Sequence, residues 1–308
     1  MYAAIDIGTN TLLLLIAEYD GDSLKVIHEE QRIPRLGQGV DKQRNLSEAS
    51  VNRVVNALQE YRRIIDHYYP EVADTVVMAT SAVRDSANRK EFKSIVSRET
   101  GFDLRILSGK EEARWTYLGA RSMLSANIAQ QAVTLDIGGG SSEVTLGKGH
   151  ELLDYHSFDV GSVRFTERFL HSDPPGEDEV SRCRKAIAES FEHRPFSWNG
   201  KTEAIGVAGT VTSLAFMEIN ATAYKPEKLA GMRLTRNTVQ QWVQKISHMK
   251  AAELLEEYPV VMEGRADVFL PGILILDEFL KRYDFEEIVV STGGIRHGAI
   301  IKLFQAQN

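Results

Sequence analysis

The segment Val133-Thr-Leu-Asp-Ile-Gly-Gly-Gly-Ser-Ser-Glu-Val-Thr-Leu146 combines a strand, a glycine-rich turn and a second strand. Asp136 stands where the first strand ends, and Glu143 supplies a second carboxylate on the far side of the turn. Glycine allows a tight turn and close approach of a ligand, so the backbone N–H groups of Gly138–Ser141 are predicted to form a concave anion site. Carboxylates beside a phosphate site predict a divalent cation between the two anions.

A shorter version of this pattern occurs near the amino terminus, in Ala4-Ile-Asp-Ile-Gly-Thr-Asn-Thr-Leu-Leu-Leu14. Here Asp6 ends a strand, Thr9 and Asn10 lie in a small polar turn, and an apolar run follows. A single Asp-Gly turn is typical of an ordinary hairpin. Two copies with matching flanks indicate an internal duplication, and therefore two related units.

Length and composition indicate a globular protein of two domains. The 308 residues favour two domains, and 43% hydrophobic with 26% charged residues is typical of globular proteins. A net charge of -7 argues against a general nucleic-acid binder. The single Cys183 excludes an internal disulfide and fits a reducing cytosol. With no apolar run long enough to span a bilayer, we expect a cytoplasmic protein that binds neither nucleic acid nor membrane.

Predicted strands alternate with predicted helices along the chain, which indicates the α/β class. Turns rich in Gly, Ser and Thr follow strands at Asp6, Thr80, Asp136, Gly209 and Thr292. Open α/β sheets bind ligands at the carboxyl ends of their strands, so we expect these turns to gather at such an edge.

Three of these features have more than one interpretation. The stretch Ala79–Asn88 fits a turn packed against a ligand, or a helix start with solvated charges. Ala208–Ser213 fits a phosphate-binding turn, or close strand–helix packing at Gly209. Glu111 and Glu112 both suit the first turn of a helix, where acidic residues complement the helix dipole. Because consecutive helical residues point about 100° apart, at most one of them faces a given cleft.

Six motifs in order resemble the exopolyphosphatase/guanosine pentaphosphate phosphohydrolase family over essentially the whole chain. They are Asp6-Ile-Gly-Thr-Asn, Thr80-Ser-Ala-Val-Arg84, Ser108-Gly-Lys-Glu-Glu-Ala-Arg114, Asp136-Ile-Gly-Gly-Gly-Ser-Ser-Glu143, Gly206-Val-Ala-Gly-Thr210 and Ser291-Thr-Gly-Gly-Ile-Arg296. The family belongs to the sugar kinase–Hsp70–actin superfamily. The resemblance therefore implies two ribonuclease-H-like α/β lobes around a central cleft, spanning 1–124 and 125–297, with helix 298–308 expected to pack back on the first lobe.

The chain departs from the family pattern in two respects. The family usually has Ser where this chain has Thr9 and Thr11, so we expect a tighter pocket that keeps its hydroxyl donors. Longer members carry additional C-terminal helical domains, one of them of the HD type. The chain is similar to the short, two-domain form, which argues against processive action on very long polyphosphate.

The resemblance implies hydrolysis of terminal phosphoanhydride bonds in inorganic polyphosphate, with pppGpp as a further substrate, Mg²⁺ or Mn²⁺ as cofactor, and a homodimer. Glu112 is the expected general base, with Glu111 the weaker candidate. Glu143 is expected to orient water or bind the metal together with Asp6 and Asp136, and Arg84 is expected to neutralise substrate charge. The residues expected to bind phosphate are Thr9, Asn10, Ser81, Gly138, Gly139, Gly140, Ser141, Gly209, Thr210 and Arg296.

Two other functions are compatible with the same superfamily. One is an ATP-dependent kinase for a small molecule, in which Val289–Gly298 would form an adenosine-side loop. The other is a sensor that binds polyphosphate or guanosine penta/tetraphosphate without turnover. The motifs Thr80–Arg84 and Ser108–Arg114 favour the hydrolase over the kinase, and the presence of both Glu112 and Glu143 favours an enzyme over a sensor.

Overall fold

The computed structural model describes residues 1–124, 128–192, 195–198 and 201–307. The chain forms two compact units. Unit 1 comprises Met1–Ser122 together with Gly293–Asn308, and unit 2 comprises Met123–Thr292. The predicted boundary between 124 and 125, and the predicted helix end at 308, fall on residues outside the described part of the chain.

Strands and helices alternate through both units. The strands are β1 (Tyr2–Ile7), β2 (Leu12–Tyr19), β3 (Leu24–Arg32), β4 (Asp74–Ala79), β5 (Leu104–Ile106), β6 (Gln131–Ile137), β7 (Ser142–Lys148), β8 (Glu151–Phe158), β9 (Thr202–Val207), β10 (Arg233–Thr235) and β11 (Glu287–Val290). The helices are α1 (Val40–Gln43), α2 (Glu48–Tyr68), α3 (Ser81–Arg84), α4 (Arg89–Thr100), α5 (Gly109–Ser122), α6 (Ser162–Phe169), α7 (Glu177–Ser190), α8 (Ala208–Glu218), α9 (Pro226–Leu229), α10 (Arg236–Ile246), α11 (Ala251–Glu257), α12 (Pro259–Met262), α13 (Phe269–Tyr283) and α14 (Ile295–Gln307).

Unit 1 contains a sheet in the order β3-β2-β1-β4-β5, in which β1, β4 and β5 are parallel. Side chains alternate along β1, because successive residues of a strand point to opposite faces. Ala3, Ile5 and Ile7 join the core built with α2 and α4. Ala4 instead joins the cluster that contains Trp115 of α5 and Ile300 of α14.

Two glycines allow α5 and α14 of unit 1 to pack backbone against backbone. A Cβ at Gly119 would lie 1.9 Å from the carbonyl oxygen of Gly294, and one at Gly298 would lie 1.9 Å from that of Trp115. Any side chain at either position would push the helices apart. The C-terminal helix is therefore packed closely on the helix that carries Glu112.

Unit 2 contains a sheet in the order β10-β11-β9-β6-β7-β8, in which β6, β9 and β11 are parallel. Leu135 of β6 and Val144 of β7 face a core shared with α7 and the largely buried helix α13. Cys183 of α7 is a free, buried thiol within that core. Among the described residues, no helix is long and apolar enough to cross a membrane.

The predicted duplication is present in the backbone. Five strands of the unit 2 sheet match the five strands of the unit 1 sheet in order and direction. The unit 2 order is β8-β7-β6-β9-β11, and the unit 1 order is β3-β2-β1-β4-β5. The N–H of Gly8 donates to Thr11 O at 2.9 Å, and the N–H of Gly138 donates to Ser141 O at 2.9 Å, 130 residues later. The β-bulge after Ile16 recurs after Leu146, with the same offset. The predicted α/β class with two ribonuclease-H-like units is confirmed.

A few short elements differ from the sequence predictions. Ile33–Arg44 shows no periodic pattern in the sequence, but it contains the one-turn helix α1. Pro259 follows α11 and begins α12, because proline suits the first helical position. The strand β10 was not predicted, since three residues are too short to show a periodic pattern.

Candidate active site

In unit 1, the turns that follow β1 and β4 lie side by side. The two strands are parallel and pair Ile7 with Ala79, so both chains leave the sheet at the same edge. Thr9 and Ser81 are buried there, with their hydroxyl oxygens 3.4 Å apart. A Cβ at Gly37 would come within 2.2 Å of the Thr9 methyl carbon, so the glycine makes room for threonine at this position.

Arg84 and Glu112 form a close ion pair in unit 1. Arg84 ends the one-turn helix α3, so Ala79–Asn88 does contain a helix start, but the Arg84 charge is not simply solvated. Its Nη1 donates to Glu112 Oε2 at 2.6 Å and to the carbonyl oxygen of Leu107 at 3.3 Å. Glu112 is 6% exposed, whereas the Arg84 side chain retains 25% exposure. A buried carboxylate is thus held by a cation that still reaches the surface.

The surroundings of Glu112 act on its ionisation in opposite directions. Burial raises the pKa of Glu112 above its ordinary value, because desolvation penalises the charged form. The Arg84 guanidinium and a hydrogen bond from Thr80 oppose this and lower the pKa. A carboxylate whose pKa is moved toward neutrality is a stronger base than an exposed glutamate, as proton abstraction requires.

The neighbouring Glu111 caps the amino-terminal end of α5. Its Oε2 accepts from the N–H and the hydroxyl of Ser108, at 3.0 and 2.8 Å, and Ser108 Oγ accepts from the Glu111 N–H at 3.3 Å. Glu111 also forms an ion pair with Arg105. This is a reciprocal capping arrangement at the start of α5. Of the two adjacent glutamates, Glu112 is the one held in the buried pair with Arg84.

The remaining predicted residues of unit 1 lie on β1 and α14. Asp6 is half-buried on β1, one residue before the turn. Arg296, expected to neutralise substrate charge, donates from Nη1 to the carbonyl oxygen of Leu14 at 2.9 Å. Its Nη2 lies 3.0 Å from Glu29 Oε1. The guanidinium therefore anchors the start of α14 on β2, with its charge matched by Glu29.

In unit 2, the glycine-rich turn is held from behind by the start of α6. The N–H of Ser162 donates to Gly138 O, and that of Val163 donates to Gly139 O, both at 2.9 Å. A Cβ at Gly161 would lie 2.4 Å from Gly139 O, so only glycine allows this approach. Because the Gly138 N–H is bonded to Ser141 O, the phosphate-binding candidates in the turn are the N–H groups of Gly139, Gly140 and Ser141.

Three polar side chains share one face of β6, β7 and β8. Asp136 pairs across the strands with Glu143, and Glu143 pairs with Ser157. Glu143 is 2% exposed, and Ser157 Oγ donates to its Oε1 at 2.7 Å. Nothing in the local pattern around Ser157 indicated this contact, which depends on the register between β7 and β8.

The start of α8 is packed against a residue that the sequence motifs did not indicate. Ala208 has φ of 65°, an unusual left-handed conformation for a residue with a side chain. A Cβ at Gly209 would lie 1.9 Å from Nη1 of Arg265, and one at Gly272 would lie 2.6 Å from Thr210 Oγ1. Gly209 is closely packed, but against a side chain rather than in the strand–helix contact that one interpretation predicted. The packing partner is the guanidinium of Arg265, which places a cation at a strand-to-helix turn.

The donor groups are compatible with Mg²⁺ only if other ligands complete its shell. Among the described residues, no group of three or more His, Cys, Asp or Glu side chains could hold a metal. The structure does offer Asp136 and Glu143 as neighbouring carboxylates. Mg²⁺ commonly keeps several waters and takes one or two carboxylates plus substrate phosphates, so this pair fits it.

Comparison with known proteins places the chain in a family. The profile of the Ppx/GppA phosphatase family matches residues 15–307. Exopolyphosphatase 2 of Mycobacterium tuberculosis is 34% identical over 319 aligned residues, covering 98% of both chains. The crystal structure of the Aquifex aeolicus Ppx/GppA family member is 30% identical, with a TM-score of 0.83 over 100% of this chain and 98% of that one. An exopolyphosphatase from Cytophaga hutchinsonii is 26% identical, with a TM-score of 0.89 over 99% and 98%.

The fold and these similarities define a phosphatase-type α/β protein. The chain belongs to the Ppx/GppA phosphatase family. The resemblance drawn from its six motifs is confirmed.

Proposed function

We propose that this protein hydrolyses the terminal phosphoanhydride bond of inorganic polyphosphate. The observation that supports this most directly is the buried carboxylate of Glu112, held 2.6 Å from Arg84 beside the Thr80–Ser81 turn. A polyanionic substrate needs a base that can be ionised inside the protein and a cation to offset the phosphoryl charge. This pair supplies both. Family membership and the similarity to chains named exopolyphosphatase support the choice of substrate.

In the proposed reaction, Glu112 removes a proton from a water molecule. The water oxygen attacks the terminal phosphorus as the bridging P–O bond breaks, which releases inorganic phosphate and a chain shortened by one phosphate. Arg84 keeps Glu112 ionised through Nη1 and offers positive charge to the phosphoryl oxygens. Thr9, Asn10 and Ser81 are proposed to bind phosphate through their polar groups. These residues would position the substrate and stabilise the charge of the transition state, which are the two contributions that phosphoryl transfer requires of a protein.

Unit 2 is proposed to bind phosphate and metal. The N–H groups of Gly139, Gly140 and Ser141 would donate to phosphate oxygens, as anion-binding turns do. Asp136 and Glu143 would hold Mg²⁺ or Mn²⁺. When bound, the cation would neutralise phosphate charge in the transition state. Gly209 and Thr210 are proposed to bind phosphate, with the positive charge of Arg265 beside them.

A phosphoanhydride at the 5′ end of pppGpp would present the same chemistry as polyphosphate, and we propose it as a further substrate. Arg296 is engaged by Leu14 and Glu29, so we assign it to holding α14 rather than to direct phosphate binding. Homodimerisation and a cytoplasmic location stay predictions.

The test compares substrates and metals in one assay. Phosphate release is measured from tripolyphosphate, long polyphosphate, pppGpp and ATP, each with Mg²⁺, with Mn²⁺ and with EDTA. We expect release from polyphosphate that EDTA abolishes and Mg²⁺ restores. Release from no phosphoanhydride would overturn the proposal, and undiminished activity in EDTA would overturn the metal assignment. Transfer from ATP to an added small-molecule acceptor, without release from polyphosphate, would instead identify a kinase.

A further inference from the structure

A loop of unit 1, residues 33–46, carries positive charge on a chain whose net charge is negative. We call it the basic loop; it holds Arg35, Lys42 and Arg44 against a single carboxylate, Asp41. Lys42 and Arg44 are exposed and Arg35 is half-buried. On a protein of net charge -7, a local cluster of this sign is a place where polyanions concentrate.

The basic loop is ordered by its apolar residues and by bonds to its neighbours. Leu36, Val40 and Leu46 are buried, with 0%, 6% and 3% exposure. Arg53 Nε donates to the carbonyl oxygen of Pro34 at 2.7 Å. The basic side chains therefore project from a fixed backbone, which lowers the entropic cost of binding a ligand.

One end of the basic loop is attached to the phosphate-binding turn after β1. The N–H of Arg35 donates to Asn10 O at 3.1 Å, and the N–H of Gly37 donates to Thr9 O at 2.8 Å. The loop thus begins beside two residues proposed to bind phosphate.

The other end of the basic loop is attached beside Arg84. The N–H of Ala87 donates to Arg44 O at 2.7 Å, and Asn88 exchanges two hydrogen bonds with the backbone of Leu46, at 2.9 and 3.0 Å. The loop therefore runs from the turn after β1 to the turn after β4, which are adjacent in the sheet.

The backbone of the loop is strained at two of its basic residues. Arg35 has φ of 49° and Arg44 has φ of 55°, left-handed conformations that are unfavourable for a residue with a Cβ. The hydrogen bonds at the two ends hold these conformations. Glycine would adopt these two backbone conformations more readily than arginine. The loop nevertheless has a positively charged side chain at both positions.

We propose that the basic loop binds the internal phosphates of a polyphosphate chain, beyond the terminal phosphate that is hydrolysed. This inference rests on the proposed polyphosphate hydrolysis and extends it to how the rest of the substrate is held. The ligand class is a linear polyanion with evenly spaced phosphates, because Arg35 lies at the end of the loop attached to Asn10, Arg44 lies at the end attached to Ala87, and Lys42 lies between them in α1. Charge contacts of this kind are made through phosphate oxygens and weaken as salt rises.

The test removes the two exposed charges and compares long with short substrate. In the variant Lys42→Gln/Arg44→Gln, we expect KM for long polyphosphate to rise about tenfold, with kcat within about twofold. KM for tripolyphosphate should stay within about twofold, because it is too short to extend along the loop. The dependence of log KM on log salt concentration for long polyphosphate should become shallower by about 1 to 1.5.

A matched control removes an exposed charge elsewhere in unit 1. Lys25 lies at the start of β3, about 25 Å of strand from Arg32, where the basic loop follows. Lys25→Gln should change neither substrate's KM. A loop variant that weakens tripolyphosphate and long polyphosphate equally, or neither, would overturn the inference, and a selective loss on pppGpp would assign the loop to nucleotide instead.

A binding measurement separates this inference from the proposed function. Anisotropy of labelled long polyphosphate is recorded with the wild-type chain and with the loop variant, in EDTA so that turnover is prevented. Weaker binding by the variant supports the loop even if the wild-type chain hydrolyses nothing, a result that would overturn the proposed function alone. Equal binding overturns the loop assignment even if hydrolysis is observed.

Discussion

Arg84 Nη1 lies 2.6 Å from Glu112 Oε2, although the two residues are 28 positions apart and follow different strands. Arg84 ends the turn after β4, and Glu112 lies in the first turn of the helix after β5. Removing Arg84 would leave the Glu112 carboxylate buried without a counter-charge, which typically costs about 3–5 kcal/mol, whereas Arg84 keeps 25% exposure and can be solvated without Glu112. The pair therefore sets both the position and the ionisation of the proposed base.

Removal of the Arg84 charge should move the pH dependence of turnover. With Glu112 as the proposed base, activity is expected to be lost as pH falls through its pKa, which burial raises and Arg84 lowers. Arg84→Ala removes the largest lowering effect and leaves the weaker one from Thr80 against burial, so the acid limb of kcat/KM should shift to higher pH, with a loss of about 10²-fold or more. Arg84→Lys retains a cation and should shift the limb less. An acid limb at an unchanged pH in Arg84→Ala would show that ionisation of Glu112 does not set the pH dependence of activity.

Removal of the Ser157 hydroxyl should weaken metal binding. Ser157 Oγ donates to Glu143 Oε1 at 2.7 Å, and partners that orient a ligating carboxylate typically contribute about 10–100-fold in metal affinity. In Ser157→Ala we expect the Mg²⁺ concentration for half-maximal activity to rise about tenfold, with kcat at saturating Mg²⁺ retained within a few-fold. Ser157→Thr keeps the hydroxyl and serves as the control. An unchanged Mg²⁺ requirement in Ser157→Ala would remove Ser157 from metal binding.

A side chain at Gly161 should destabilise unit 2. Its Cβ would lie 2.4 Å from Gly139 O and 2.5 Å from the carbonyl carbon of Gly140, backbone atoms that cannot rotate away. Overpacking of this kind costs about 1–3 kcal/mol, so Gly161→Ala should lower the urea midpoint and the phosphate-release rate together. Gly176 lies in the same unit, and its Cβ would meet nothing closer than 3.9 Å. Gly176→Ala should therefore leave both quantities nearly unchanged, and a similar loss in the two variants would contradict the packing argument.

His297 should make the protein sensitive to acid. Burial, with a smaller effect from Arg296, lowers the pKa of His297 to about 3, and its Nδ1 accepts from the Gly294 N–H at 3.2 Å. Between about pH 6.5 and 3 the unfolded chain binds a proton here that the folded chain does not, so stability falls as pH falls. The slope from this residue is about 1.4 kcal/mol per pH unit.

The variant His297→Asn tests that contribution, because asparagine keeps an acceptor near the same position and does not titrate. The free energy of unfolding is measured by urea titration across this pH range for both proteins. We expect a shallower pH dependence in the variant, whatever its absolute stability. An identical slope would mean that His297 does not contribute to acid sensitivity.

The duplicated turns were predictable because their signal is local. Asp6 and Asp136 each end a strand before glycine, and the backbone bond from Gly8 to Thr11 recurs from Gly138 to Ser141. Turn chemistry, strand pattern and spacing all act within a dozen residues, which is the range that sequence periodicity reports.

The contacts that surround these turns depend on distant pairings, and the sequence did not indicate them. Ser157 reaches Glu143 only through the register of β7 with β8, and Arg265 covers Gly209 from a point 56 residues further along the chain. Arg296 stands in a motif that predicted substrate contact, yet its bonds to Leu14 and Glu29 are set by how α14 packs on the sheet. The motif favoured Glu112 over Glu111 as the base, but it did not indicate that Glu111 caps α5 through Ser108.

The most direct test of the central claim is single-turnover phosphate release from tripolyphosphate by Glu112→Gln, compared with the wild-type chain in Mg²⁺. Glutamine preserves the shape and can still contact Arg84, so the circular dichroism spectrum and the urea midpoint should be close to those of the wild type. We predict a rate about 10²–10⁴-fold lower, the usual contribution of a general base. Near-normal turnover by the folded variant would contradict the assignment of Glu112 as the base.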